Sequence, residues 1–206
     1  MSKTKFILRS KITNKTSQTK SLLTAKSHPA TLTSENQISG RRMFYEELFE
    51  KLNKSGVDYV VVGGVALVLH GVVRLTADLD LMVHLEEGNL SKFVDIMNEL
   101  GYRPKVPVKS EEFINAKTRA TWINEKNMKV FSFFHPERPI HLIDVFVEEP
   151  VDYNVIISDA VTIMSGSVPI PVVSVKNLIK LKEISGRPQD IADIAALREI
   201  QKSEPR

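Results

Sequence analysis

The sequence predicts an α/β fold, and three observations carry that prediction. Val60-Val61-Val62 runs into Gly63-Gly64 and a short helical pattern, and a second apolar run, Leu79-Asp80-Leu81-Met82-Val83, follows. Met128 to Phe134 and Ile140 to Val147 read as two strands joined through His135-Pro136 and Pro139, a hairpin. Between and after these strands lie segments with apolar residues at helical spacing, among them Phe93, Ile96, Met97 and Leu100.

The first strand–turn–helix–strand unit carries the candidate chemistry. Side chains on a strand alternate between faces, so Asp78 and Asp80 project to one side, about 7 Å apart along the strand, while Leu79 and Leu81 face the other way. A strand otherwise built from Leu, Met and Val that gives two same-face positions to aspartate presents paired oxygen ligands, which suit a hard cation such as Mg²⁺. Gly63 and Gly64 allow a tight turn and close approach of a ligand to the backbone, and the helix after them directs N–H groups outward, an anion site. A phosphate turn beside a carboxylate pair is equipment for phosphoryl or nucleotidyl transfer.

These residues resemble the nucleotidyltransferase superfamily related to DNA polymerase beta. Its signature is a small-residue turn, a short helix, then Asp-apolar-Asp/Glu-apolar, and Gly63-Gly64 with Asp78-Leu79-Asp80-Leu81 matches it. The longer run from Gly63 through His70-Gly71 and Arg74-Leu75-Thr76-Ala77 to Leu81 resembles the small prokaryotic branch that includes abortive-infection toxin-type nucleotidyltransferases. The resemblance spans about residues 41–200 and is weakest over 102–127. It implies a mixed central sheet flanked by helices, with a carboxy-terminal helical element over 151–200. It also implies that Asp144, the single acid near the middle of Ile140–Val147, completes a metal triad with Asp78 and Asp80. Asp144 then doubles as a general base for the acceptor hydroxyl.

The carboxy-terminal run Val172 to Asp193 resembles the corresponding element of the same small enzymes. On that match Lys182 reaches a triphosphate, and Arg187 and Asp190 brace the Gly186-Arg187-Pro188-Gln189-Asp190 turn or contact the nucleotide. The implied cofactor is Mg²⁺, as two ions, with Mn²⁺ as the substitute. The implied substrate is an NTP, with an acceptor that is RNA, protein or a small molecule, and an antitoxin or other protein is an implied partner. One departure stands out: some members have Gly-Ser at the turn, whereas Gly64-Val65 offers no hydroxyl for phosphate. Around the core motif, His70 reads as a structural histidine. Arg74 pairs with Asp78 or meets a phosphate, and Thr76 hydrogen-bonds a carboxylate from the turn.

Composition bounds the rest. The chain has 206 residues and no cysteine, which excludes disulfides, thiolate metal sites and a cysteine nucleophile. No apolar stretch reaches membrane-spanning length, so a cytoplasmic protein without a membrane partner is expected. Of 28 Lys and Arg, seven fall in residues 1–34 with no acid among them, which leaves 21 bases against 25 acids in the remainder. Residues 1–38 therefore read as a flexible basic tail, and 39–206 as the nucleotidyltransferase domain, with its core over 41–150.

The ordered body is expected to begin with a helix near Ser39 or Arg41, in which Met43, Phe44, Leu48, Phe49 and Leu52 share a face. Glu111 to Asn124 is ambiguous: Lys117, Arg119 and Trp122 either hold a nucleotide by stacking and charge or belong to an ordinary amphipathic segment with Trp122 in the core. Two other functions compete with transfer. One is a non-catalytic nucleotide-binding or partner-binding module on the same fold, and the other is nucleic-acid binding by the basic tail.

Overall fold

A helix of about two and a half turns comes first among the described residues because Leu48, Phe49 and Leu52 fall on one face and are buried, with glutamates in its first turn and lysines in its last. This is α1, Glu46–Lys54. The computed structural model describes residues 45–203, all within one unit that runs Gly40–Arg206. The tail expected over 1–38, and Met43 and Phe44 of the expected first helix, lie outside the described residues.

β1 (Tyr59–Val62) is buried at every position, as an interior strand must be. It passes directly into α2 (Gly63–Leu69), and a loop then leads to β2 (Asp78–Val83). α3 (Glu87–Glu99) starts after Glu86, whose side chain accepts from Asn89 N at 2.9 Å and caps the helix. β3 is only Arg103–Pro104. A 3₁₀ turn at Ser110–Phe113 leads to α4 (Ala116–Lys126), capped by Asn115 and stopped by Asn127 in the left-handed conformation. β4 (Val130–His135) and β5 (Arg138–Phe146) form the expected hairpin.

α5 (Tyr153–Ser158) precedes a second hairpin, β6 (Val161–Ser165) and β7 (Val168–Val172). α6 (Val175–Ser185) is capped by Ser174 and ends at Gly186 with φ 61°, and α7 (Pro188–Ser203) closes the described chain. No helix among the described residues is long and apolar enough to cross a membrane.

The seven strands form one sheet in the order β3-β4-β5-β2-β1-β7-β6. It is mixed: β1 is antiparallel to β2, and β2 is parallel to β5. The ambiguous 111–124 segment resolves as core. Trp122 stacks on Phe131 at 5.1 Å, and Phe113 stacks on the same ring at 5.1 Å. Arg119 is buried and donates to the carbonyls of Phe113 (2.8 Å) and Ile114 (2.7 Å), so its charge serves the helix junction. Lys117, of the same segment, is exposed.

Candidate active site

The site follows from strand register. β2 and β5 run parallel with Asp80 opposite Asp144 and Asp78 opposite Leu142, so two acids distant in sequence become direct cross-strand neighbours. On the other side of β2, Val62 of β1 lies opposite Asp80. The chain then enters α2 through Gly63, whose φ of 63° is one that residues with a Cβ rarely adopt. A Cβ on Gly63 would overlap Asp80 Oδ2, and one on Gly64 would overlap Thr76 Oγ1. The glycine pair is thus required by close approach of the turn to the acidic strand. The same closeness corrects one expectation: Gly64 N–H donates to Asp80 Oδ2 at 3.3 Å, so this amide serves the carboxylate.

The two facing acids are destabilised as anions. Burial pushes the Asp80 carboxyl up to about 6, and the charges of Asp144 and Asp78 add to the rise against the Gly64 N–H and Arg187. Burial likewise raises Asp144, with Asp78 adding to it, while a hydrogen bond from Ser132 and the charge of Lys105 oppose the rise. Ser132 sits opposite Asp144 on β4. Asp144 Oδ1 is buried and has no hydrogen-bond partner.

Among the described residues no three His, Asp or Glu side chains are gathered as a ready cation cage. The donor set still fits a hard divalent ion. It is all carboxylate oxygen, one atom of it is buried without a partner, and its anionic form is only partly compensated by the chain. Asp78, Asp80 and Asp144 are the residues that would hold such an ion.

A cavity of about 490 Å³ opens beside these acids, and Gly63, Asp80, Asp144, Lys182 and Arg187 are among its lining. Val130, Phe146, Leu178 and Ile184 give the same cavity an apolar portion. The structure thereby brings five of the expected residues to one space. Asp78, Gly64, Arg74 and Asp190 are not in its lining.

Arg74 and Asp190 belong instead to a chain of ion pairs. Lys182 Nζ, 3% exposed, donates to Asp190 Oδ1 at 3.0 Å and to Asp193 Oδ2 at 2.6 Å. Arg74 Nη1 donates to the same Asp193 oxygen at 2.8 Å, and Arg187 Nε donates to Asp190 Oδ2 at 3.2 Å. Arg74 thus pairs with Asp193 and not with Asp78, because its side chain crosses from the loop before β2 to α7. Lys182 lines the cavity with two of the three donors of its ammonium already engaged inside the protein. Burial alone would raise Asp190, but hydrogen bonds from Lys182, Arg187 and Ser185 hold its carboxyl well below the usual range.

Thr76 Oγ1 donates to the backbone carbonyl of Asp78 at 3.4 Å, where a carboxylate contact was expected. His70 Nε2 meets Val173 O at 2.7 Å, a structural bond between the end of α2 and the segment after β7.

Sequence reasoning missed two residues here. Asp193 bridges Lys182 and Arg74; its signal was the i, i+3 spacing from Asp190, which puts both on one helix face. Tyr45 Oη shares its one proton between Ala77 O at 2.9 Å and Leu142 O at 3.1 Å, tying the entrance of β2 to β5. No local pattern reveals such a long-range contact.

No family model and no curated protein matches this chain. Among solved structures it is similar to the lincosamide antibiotic adenylyltransferase LnuA with lincomycin bound, at 16% identity and a TM-score of 0.49, over 75% of this chain and 94% of that one. It is also similar to an antigenic nucleotidyltransferase-like protein from Paracoccidioides brasiliensis, at 17% identity and a TM-score of 0.48, over 73% and 72% of the two chains. A third is the antibiotic-resistance factor ANT(2″)-Ia, at 14% identity and a TM-score of 0.45, over 76% and 80%.

Proposed function

We propose that this chain is a metal-dependent nucleotidyltransferase that moves an NMP from an NTP to a hydroxyl acceptor. The observation that supports it most is the pairing of Asp80 with Asp144 across β2 and β5, with a buried, unpartnered Asp144 oxygen beside the cavity. Divalent ions bound there would neutralise phosphate charge and stabilise the charge that develops at the transferring phosphoryl group.

The chain's own residues then have distinct tasks. Asp78, Asp80 and Asp144 supply the oxygen ligands, and Asp144 accepts the proton of the acceptor hydroxyl. Gly63 keeps the turn close enough for a triphosphate to lie against the acids. Lys182 and Arg187, in the lining of the same cavity, offer cationic donors to phosphate oxygens. The apolar portion of the cavity, with Val130 and Phe146, excludes water and receives the flat face of a base.

Incubation of the purified protein with each α-labelled NTP, Mg²⁺ and a total cell extract tests this reading. Label is expected in one fraction, RNA, protein or small molecule, and that fraction names the acceptor class. The label should vanish with Asp78→Ala or with a chelator. Nucleotide binding with no label in any fraction would replace the reading with a non-catalytic binding module. The toxin-type role implied by the sequence resemblance is read separately, as growth arrest on induction that Asp78→Ala abolishes.

A further inference from the structure

The outer edge of β6 has a chemistry that the transfer site does not use. Among the described residues β6 ends the sheet, with β7 on its inner side only. Its register places Thr162 opposite Pro171 and Met164 opposite Pro169. Proline has no N–H, so neither can be a mutually hydrogen-bonded pair of the antiparallel ladder. The bonds to β7 therefore come from Val161, Ile163 and Ser165, and the N–H and C=O groups of Thr162 and Met164 point outward. Val173 N, of the same parity as the two prolines, bonds Val61 O at 3.0 Å on the far side of β7, which agrees with this assignment.

An edge of this kind invites pairing, and chains usually guard against it with charge, proline or brevity. The opposite edge is so guarded: β3 has two residues, an arginine and a proline. β6 has five, Val-Thr-Ile-Met-Ser, with neither charge nor proline. Asp159 is the lone charged residue between Tyr153 and Val172, and it accepts from Asn177 Nδ2 at 2.7 Å. Within ten residues of chain, Val155 (49%), Ile157 (39%), Val161 (40%) and Met164 (57%) stand exposed.

We propose that β6 is the seam of a symmetric dimer, its free edge occupied by β6 of a second copy. An antiparallel strand pairs with its own copy about a two-fold axis without needing a second complementary sequence. With the axis at Ile163, Thr162 faces Met164 of the partner subunit, and each such pair exchanges both of its outward N–H···O bonds. No charge on β6 opposes its own image across the axis. The exposed apolar side chains beside the strand lose water on pairing. The seven described strands already belong to the sheet, so none of them is left to cover the edge.

Sedimentation velocity of the full chain over a range of concentrations tests the proposal, with Thr162→Pro, Met164→Pro and Met164→Lys as variants. Proline at 162 or 164 removes an outward N–H and leaves the β6–β7 bonds in place; Met164→Lys leaves the backbone intact and decides the matter should either proline variant fail to fold. The wild type should convert to a dimer as concentration rises, with each folded variant raising the dissociation constant at least about tenfold. Exchange of the 162 and 164 amides should slow as the dimer forms. A monomer at every concentration, or a dimer that Met164→Lys leaves unchanged, overturns the proposal. So does amide protection that does not depend on concentration, which would place another part of the same chain on the edge.

Discussion

Asp80 and Asp144 on the sheet, and Asp190 and Asp193 on α7, are two groups of buried or half-buried acids that the protein treats in opposite ways. The sheet acids face each other, burial raises both, and one oxygen has no partner. Those on α7 are matched by Lys182, Arg74 and Arg187, and Asp190 is held well below the ordinary carboxylate range despite its burial. Carboxylates compensated from within are struts, and here they tie the loop before β2 to α6 and α7. Those compensated only in part are suited to a charge from outside.

The most severe way to break this contrast is at the sheet. Asp78→Ala should lower transfer at least about a thousandfold with the melting temperature preserved, measured by label incorporation and thermal unfolding. Removing a strut should show in stability as well as in transfer. Lys182→Met leaves Asp190 and Asp193 buried with less compensation, and is expected to cost about 3–5 kcal/mol in denaturant unfolding.

A pH series sharpens the comparison, because the two groups carry opposite signs. Asp80 has a raised value, so its ionisation opposes folding. Wild-type stability relative to Asp80→Asn should fall as pH climbs from about 4, the unfolded value, through about 6, and Asp80→Asn should be the more stable protein at pH 8. Asp190 has a lowered value, so its contribution is present above the unfolded value and is lost as the solution is made more acidic. Wild type should thus lose its advantage over Asp190→Asn below about pH 4. Melting curves of the three proteins across pH check both slopes. The smallest effect is expected at the exposed end of the strut: Arg187→Ala should change stability by about 1 kcal/mol or less, since its side chain is 57% exposed, and should act mainly on nucleotide affinity.

Much of the site was legible because its signals are local. Glycines ahead of a helix and acids at i and i+2 of a strand have meaning within a few residues. The reading erred where a partner had to be chosen across the chain. Arg74 was read as pairing with Asp78, four residues on, or meeting a phosphate, and the fold gives it Asp193 on α7. Lys182 was read as reaching a triphosphate, and packing of α6 against α7 also gives it two aspartate partners that the reading did not include.

By itself the sequence determined the strand–turn–helix–strand unit around the glycine pair, the hairpin that carries Asp144, the positions of the turn and the acids, and the absence of thiol chemistry, since these depend on backbone preference, side-chain period and composition. Only the tertiary structure decided that Asp80 lies beside Asp144, that Gly63 must lack a Cβ, that Arg119 serves the helix junction and that β6 ends the sheet among the described residues. Those facts depend on strand register and helix packing, which join residues tens of positions apart and leave no local trace in the chain.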